Sequence, residues 1–139
     1  MKLTQEIQTI LSERFSRDSI IALATVENGT PQVRNVDAFY RDGSFYVITY
    51  ALSNKMKQIS KNPDVAIAGE WFTAHGKGIN LGYFGKEENR AIATQLKEAF
   101  KAWIDNGHNN FQDENTCILR IQLTDGILFA NETRYEIEF

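Results

Sequence analysis

Cysteine is almost missing from this chain of 139 residues: Cys117 is the only one, so no intramolecular disulfide and no thiolate metal cluster can form. Set in Cys117-Ile118-Leu119, it reads as a buried, inert thiol rather than a nucleophile. Proline is nearly as scarce, and both prolines, Pro31 and Pro63, fall where an element should begin or end. No apolar run approaches the roughly 20 residues that span a bilayer. The opening Met1-Lys2-Leu3-Thr4-Gln5-Glu6 turns polar at once, without the apolar stretch of a secretory signal, so the expected location is cytoplasmic. Positive charge is in deficit: 15 Lys and Arg stand against 18 Asp and Glu, a formal charge of −3 that excludes a broad contact with nucleic acid. A local basic pocket for one small anion stays compatible with that balance.

Familiar catalytic signatures are missing too. There is no Gly-x-Ser-x-Gly elbow, no His-Glu-x-x-His pair, no P-loop and no Gly-x-Gly-x-x-Gly, which removes the common hydrolase and nucleoside-triphosphatase classes. His75 and His108 lie in Gly- or Asn-flanked segments without ligand spacing and read as exposed loop residues, so no metal site is expected.

What is present is an ordinary globular balance, 42% hydrophobic and 24% charged, without repeats or linker-like tracts, and it predicts one domain over residues 1–139. Ile7, Ile10 and Leu11 behind a Thr4 cap predict a short helix over 4–14. Strands are predicted over 19–26, 32–40 and 45–50, joined by the turn pairs Asn28-Gly29 and Asp42-Gly43. A helix over 53–61 follows, ended by Asn62-Pro63. Strands over 65–72 and 79–84 flank a connection that contains Gly76 and Gly78, whose lack of a side chain permits close backbone approach. The stripe Ile92, Leu96, Ala99, Phe100, Trp103 and Ile104 predicts the longest helix, over 87–104, and strands over 116–123, 127–130 and 135–139 complete the chain. Connections this short favour an antiparallel sheet in a mainly β (α+β) fold.

Chemistry concentrates between Pro31 and Pro63, where Arg34 sits on one strand, Thr49 ends another, and Ser53-Asn54-Lys55 open a helix. A helix N-terminus offers unpaired N–H groups and partial positive charge, to which a hydroxyl and an ammonium add bonds suited to a phosphate dianion. Local chemistry alone favours the plainer reading, with Ser53 an N-cap, Lys55 a solvated side chain and Arg34 a surface ion-pair partner, since each residue is common at such positions.

Taken in order, Gly29-Thr30-Pro31-Gln32-Val33-Arg34-Asn35-Val36, Phe45-Tyr46-Val47-Ile48-Thr49, Ser53-Asn54-Lys55-Met56-Lys57-Gln58-Ile59 and Asn62-Pro63 resemble the running pattern of the pyridoxamine 5'-phosphate oxidase-like family of FMN-binding split-barrel proteins. The likeness continues through Glu70-Trp71 and Gly78-Ile79-Asn80-Leu81-Gly82 to Arg134-Tyr135-Glu136-Ile137-Glu138-Phe139. No single motif is specific, but the series is. The resemblance implies an antiparallel six-stranded split β-barrel with flanking helices, assembled as a homodimer with FMN at the subunit interface. By position it places Arg34, Asn35 and Val36 along the flavin and its ribityl phosphate, Ile48 and Thr49 under the ring and near the phosphate tail, and Ser53, Asn54 and Lys55 in the phosphate loop.

Departures from the fuller oxidases narrow the expectation. Asn54 replaces an arginine that often follows the serine, which implies weaker phosphate binding. Lys77 falls near a glutamine that faces the ring, where a lysine would stabilise negative charge on reduced flavin; read locally it is an exposed loop lysine. Phe129 falls near an aromatic that reaches the partner subunit's flavin, although a core phenylalanine on a strand fits the same position. The Arg-x-His segment that holds the substrate of the true oxidases is replaced by Asn131-Glu132-Thr133-Arg134-Tyr135. The expected protein is thus an FMN-dependent oxidoreductase, with no side chain required as acid or base, that takes electrons from a nicotinamide or similar donor to a small acceptor and is not a pyridoxamine-phosphate oxidase. Its rivals are a non-catalytic flavin-binding or stress-response protein, and a haem- or deazaflavin-binding relative on the same fold.

Overall fold

The computed structural model describes residues 1–107 and 109–139. The chain begins with α1 (Gln5–Phe15), capped as its sequence predicts: Thr4 Oγ1 accepts the Ile7 N–H at 3.3 Å. Its four-residue spacing of Ile7, Leu11 and Phe15 puts all three on one buried face. The strands β1 (Ser19–Glu27), β2 (Thr30–Arg41) and β3 (Ser44–Tyr50) follow as a meander. Asn28 (φ 52°) with Gly29 (φ 80°), and Asp42 (φ 45°) with Gly43 (φ 84°), close its two hairpins in the left-handed conformations those residue types tolerate.

Next come α2 (Asn54–Lys61), β4 (Asp64–Gly69), β5 (Phe72–Tyr83), a 3-10 turn (Glu87–Asn89), α3 (Arg90–Ala99), β6 (Thr116–Ala130) and β7 (Thr133–Glu138). The sheet is antiparallel with the order β3-β2-β1-β4-β5-β6-β7, and an added pairing of β3 with β6 closes β1 to β6 into a six-stranded barrel. Strand β6 is long enough, at 15 residues, to pair with β3 through its first half and with β7 through its second.

Inside the barrel Tyr40, Phe45 and Phe72 are at most 1% exposed, and α1 and α2 close it with Leu11, Phe15, Met56 and Ile59. Each such side chain contributes roughly 1.5–3 kcal/mol of burial. A second, outer cluster packs Ile92, Leu96, Phe100 and Ile104 against Tyr46 and Ile118.

The barrel is split at one seam. Strand β2 pairs with β3 only from Phe39↔Tyr46 to Arg41↔Ser44, whereas β3 stays paired with β6 along its whole length and β2 stays with β1. Below Phe39 the two strands therefore diverge.

Several predicted boundaries move. The strand predicted over 65–72 ends at Gly69, because Glu70 and a left-handed Trp71 (φ 51°) form a tight turn and Phe72 already begins β5. Gly76 and Gly78, expected in a connection, lie within β5, and a Cβ on Gly76 would stand 2.7 Å from the Gln122 carbonyl oxygen. The segments 116–123 and 127–130 are one strand, bent where the pairing shifts between His75 and Gly76. The long helix is regular only over Arg90–Ala99. Beyond it the backbone tightens into turns, with Trp103 N–H to Phe100 O at 3.0 Å, while Phe100 and Ile104 remain buried as the stripe requires. His75 is exposed as expected but on a strand, and His108 lies outside the described residues.

Candidate functional site

Where β2 and β3 part, a cavity of about 360 Å³ opens between Val36 and Asp37 on one strand and Val47 and Ile48 on the other. Lys55 from α2, and Trp103, Asn106 and Asn109 from the segment after α3, complete its wall. Trp103 is anchored by its Nε1–H, which donates to Asp18 Oδ2 at 2.9 Å. Burial, followed by the neighbouring Asp18, raises the carboxyl pKa of Asp37.

The first turn of α2 borders this slot. Ser53 is the N-cap residue, yet its side chain makes no capping bond, and its buried Oγ has no partner among the described residues. The first turn carries no acidic residue, so the dipole there is uncompensated by the helix itself. Lys55 Nζ donates to Thr49 Oγ1 at 2.5 Å. Its pKa is lowered by burial and then by the charge of Arg34.

Arg34 enters the same region from β2, held by an interior polar network. Its Nη1 donates to the Thr25 hydroxyl at 2.8 Å and to the Leu23 carbonyl at 3.1 Å, and its Nη2 donates to Gln58 Oε1 at 3.0 Å. Thr25 Oγ1 also donates to Gln58 Oε1 at 2.5 Å, and Gln58 Nε2 donates to Glu27 Oε2 at 2.8 Å. A guanidinium has five N–H donors in a planar fork. With both Nη1 donors and one Nη2 donor engaged, Nε–H and the other Nη2–H remain, the edge that grips an oxyanion in bidentate fashion. Neither Arg34 nor Lys55 forms an ion pair with a carboxylate among the described residues.

Of the residues singled out from sequence, Val36, Ile48 and Lys55 share the slot, Thr49 is bonded to Lys55, Arg34 is close enough to Lys55 for their charges to interact, and Ser53 is the N-cap residue two positions before Lys55. The others stand apart. Asn35 is exposed on the outer side of β2 opposite Ala22, and Asn54 lines a different hollow with Lys57 and Lys61. Lys77 is ion-paired with Asp64 on the neighbouring strand. Phe129 is exposed and meets Trp71 edge-on, with ring centroids 6.4 Å apart. Sequence reasoning missed Thr25, Gln58 and Asp37. Gln58 carried a signal: it is a polar residue on the face of α2 that Met56 and Ile59 make apolar. Cys117 is buried as expected, and burial pushes its thiol pKa up.

The outer face of the barrel holds a second, smaller hollow of about 290 Å³, floored by Ala22, Ala24, Ala66 and Ala68. Pairing aligns Val33, Ala24, Ala66, His75 and Asp125 in one row across five strands. His75 Nδ1 and Asp125 Oδ1 are 2.8 Å apart at the end of that row. No group of three metal-ligating side chains occurs among the described residues, and no helix is long and apolar enough to cross a membrane.

A closed antiparallel barrel that opens along one seam defines a split-barrel protein. Residues 3–128 match the pyridoxamine 5'-phosphate oxidase family, and the chain belongs to it. No curated protein sequence matches. Solved structures do. A NimC/NimA family protein from Clostridium acetobutylicum is 21% identical, with a TM-score of 0.68 over 95% of this chain and 94% of that one. HutZ, the haem storage protein from Vibrio cholerae, is 21% identical, with a TM-score of 0.69 over 96% of this chain and 100% of that one. A FAD-binding protein from Mesorhizobium loti is 14% identical, with a TM-score of 0.67 over 89% and 92%. At these identities the likeness establishes the shared fold.

Proposed function

We propose that this chain is an FMN-binding flavoprotein, an oxidoreductase that passes electrons from a nicotinamide or similar donor to a small acceptor. The observation that carries the reading is the buried Ser53 hydroxyl, unpartnered among the described residues, at the start of α2, two residues before Lys55, whose charge interacts with that of Arg34. Buried polar atoms without partners are rare, and one at a helix N-terminus that also carries a cation suits a phosphate. The adjoining slot, at about 360 Å³, is within the size range of small-molecule sites.

In this reading Ser53, Lys55 and the free edge of Arg34 hold the phosphate, while Val36 and Ile48 flank the ring system. When bound, FMN supplies the redox chemistry. The chain orients it, and the apolar side chains of the lining, Val36, Val47, Ile48 and Trp103, cover part of its face. Pyridoxamine 5'-phosphate is a poor substrate on this account. Arg134 is bound to Glu136, and Arg14 in the same hollow donates to the Glu70 and Phe129 carbonyls, so both cations that a second phosphate would need there are already engaged, beside the carboxylate of Glu132.

The unit is proposed to be a homodimer. Val33 and Ile20 are 70% and 68% exposed on the face that carries the alanine-floored hollow, a surface with both knobs and a hole, as a self-complementary contact needs. Asn35, Lys77 and Phe129, which stand apart from the slot in one chain, are then available to a partner's flavin. The likeness to HutZ favours a haem reading, but His75, the described histidine, does not line the slot and is held by Asp125. Mixing the FMN-loaded protein with NADH or NADPH tests the enzyme reading. Bleaching of the flavin band, reversed by a small acceptor, supports it; bound flavin that is never reduced favours a storage or sensing role.

A further inference from the structure

We infer that Gln58 and Thr25 are positioning residues for the proposed phosphate site, acting through Arg34 to present its free N–H edge. The inference rests on the FMN reading above. Gln58 is only 7% exposed and Thr25 only 1%, although their neighbours Met56, Ile59, Ile21 and Leu23 are core side chains. A polar group in such surroundings costs stability unless every hydrogen-bonding capacity is used.

The network has one consistent direction. Glu27 can only accept, so it takes the Gln58 Nε2–H and fixes which end of the carboxamide faces inward. Gln58 Oε1 then accepts from both the Thr25 hydroxyl and Arg34 Nη2, and Thr25 Oγ1 accepts from Arg34 Nη1. With the Leu23 carbonyl as a further acceptor, the guanidinium is held in one plane from its inner edge. The Nε edge is the part left to a ligand, and the guanidinium as a whole is close enough to Lys55 for the two charges to interact. An arginine held in this way loses little side-chain entropy when an oxyanion binds. Burial also lowers the pKa of Arg34, as expected for a cation partly withdrawn from water into this network.

A double-mutant cycle tests the inference, with binding of FMN and of riboflavin, which lacks the phosphate, measured side by side. Gln58→Met keeps the side-chain volume and removes the acceptor. It is expected to weaken FMN binding by about tenfold, the scale of a lost bond to a charged group, with riboflavin binding unchanged. In an Arg34→Met background the same change is expected to have no further effect on FMN, because its route to the phosphate is gone. Thr25→Val, which keeps the packing shape, serves as a second variant should Gln58→Met not fold, with the same phosphate-selective loss expected. Equal losses for FMN and riboflavin, or effects that add to that of Arg34→Met, overturn the inference and leave the FMN reading standing. A wild-type protein without preference for FMN over riboflavin overturns both.

Discussion

Lys55 Nζ donates to Thr49 Oγ1 at 2.5 Å, tying the first turn of α2 to the end of β3, and the charge that acts most strongly on the lysine is another cation, Arg34. Two cations held beside a helix N-terminus repel each other, and a bound dianion reverses that repulsion. Replacing Lys55 with Ala is therefore expected to weaken FMN binding by roughly 1.5–3 kcal/mol. Fluorescence titration at low salt checks this, and an unchanged dissociation constant removes Lys55 from the site.

Ser53 predicts effects of opposite sign on stability and on binding. Its buried hydroxyl has no partner among the described residues, so Ser53→Ala is expected to leave the apo protein as stable as the wild type or up to about 1 kcal/mol more stable. The same change is expected to lower affinity for FMN while sparing riboflavin. Thermal melts of the apo protein together with both titrations decide it. A clear loss of apo stability would mean that the hydroxyl has a structural role.

The lowered pKa of Lys55 fixes the direction of two pH effects. The folded protein releases this proton before the unfolded chain does, so the site's contribution to apo stability rises as pH climbs through the lowered pKa toward the usual 10.5. Phosphate binding needs the charged form and runs the other way. FMN affinity, measured relative to riboflavin to remove ionisation of the ring, is expected to fall on the alkaline side before the usual lysine range is reached. In Lys55→Arg that fall should shift to higher pH, since an arginine stays charged. A pH-independent ratio in the wild type contradicts the assignment.

How far the sequence could be read depended on whether a signal was local. The hairpin turns at Asn28-Gly29 and Asp42-Gly43 were legible because the residue types state the backbone conformation they adopt. The turn at Glu70-Trp71 was not, since a tryptophan at φ 51° gives no such notice. Thr124-Asp125-Gly126 looks like a turn but lies within β6, where Gly126 sits 3.0 Å from Phe72 and Thr73 atoms at its Cβ position and the strand bends instead of reversing. Of the proposed phosphate cluster, Arg34, Ser53 and Lys55 stood out in the sequence. The network behind them was not legible, because Thr25, Glu27 and Gln58 meet only after β1 and α2 pack, across sequence separations of up to 33 residues.

Assembly has its own test. Val33→Asp places a charge on the exposed row beside Ala24 and is expected to shift a dimer toward monomer in sedimentation while the fold, judged by circular dichroism, is kept. Flavin affinity is expected to fall with it, because the proposed site draws on both subunits. A monomeric variant that binds FMN as tightly as the wild type contradicts the shared-site account.

The most direct measurement of the central claim is a titration of the apo protein with FMN, riboflavin and haemin in parallel, followed by visible spectra. The account predicts one FMN per chain with a perturbed flavin spectrum, and riboflavin weaker by at least about tenfold, the share of the charged hydrogen bonds from Ser53, Lys55 and Arg34. Equal affinity for riboflavin, or saturable binding of haemin alone, would contradict it.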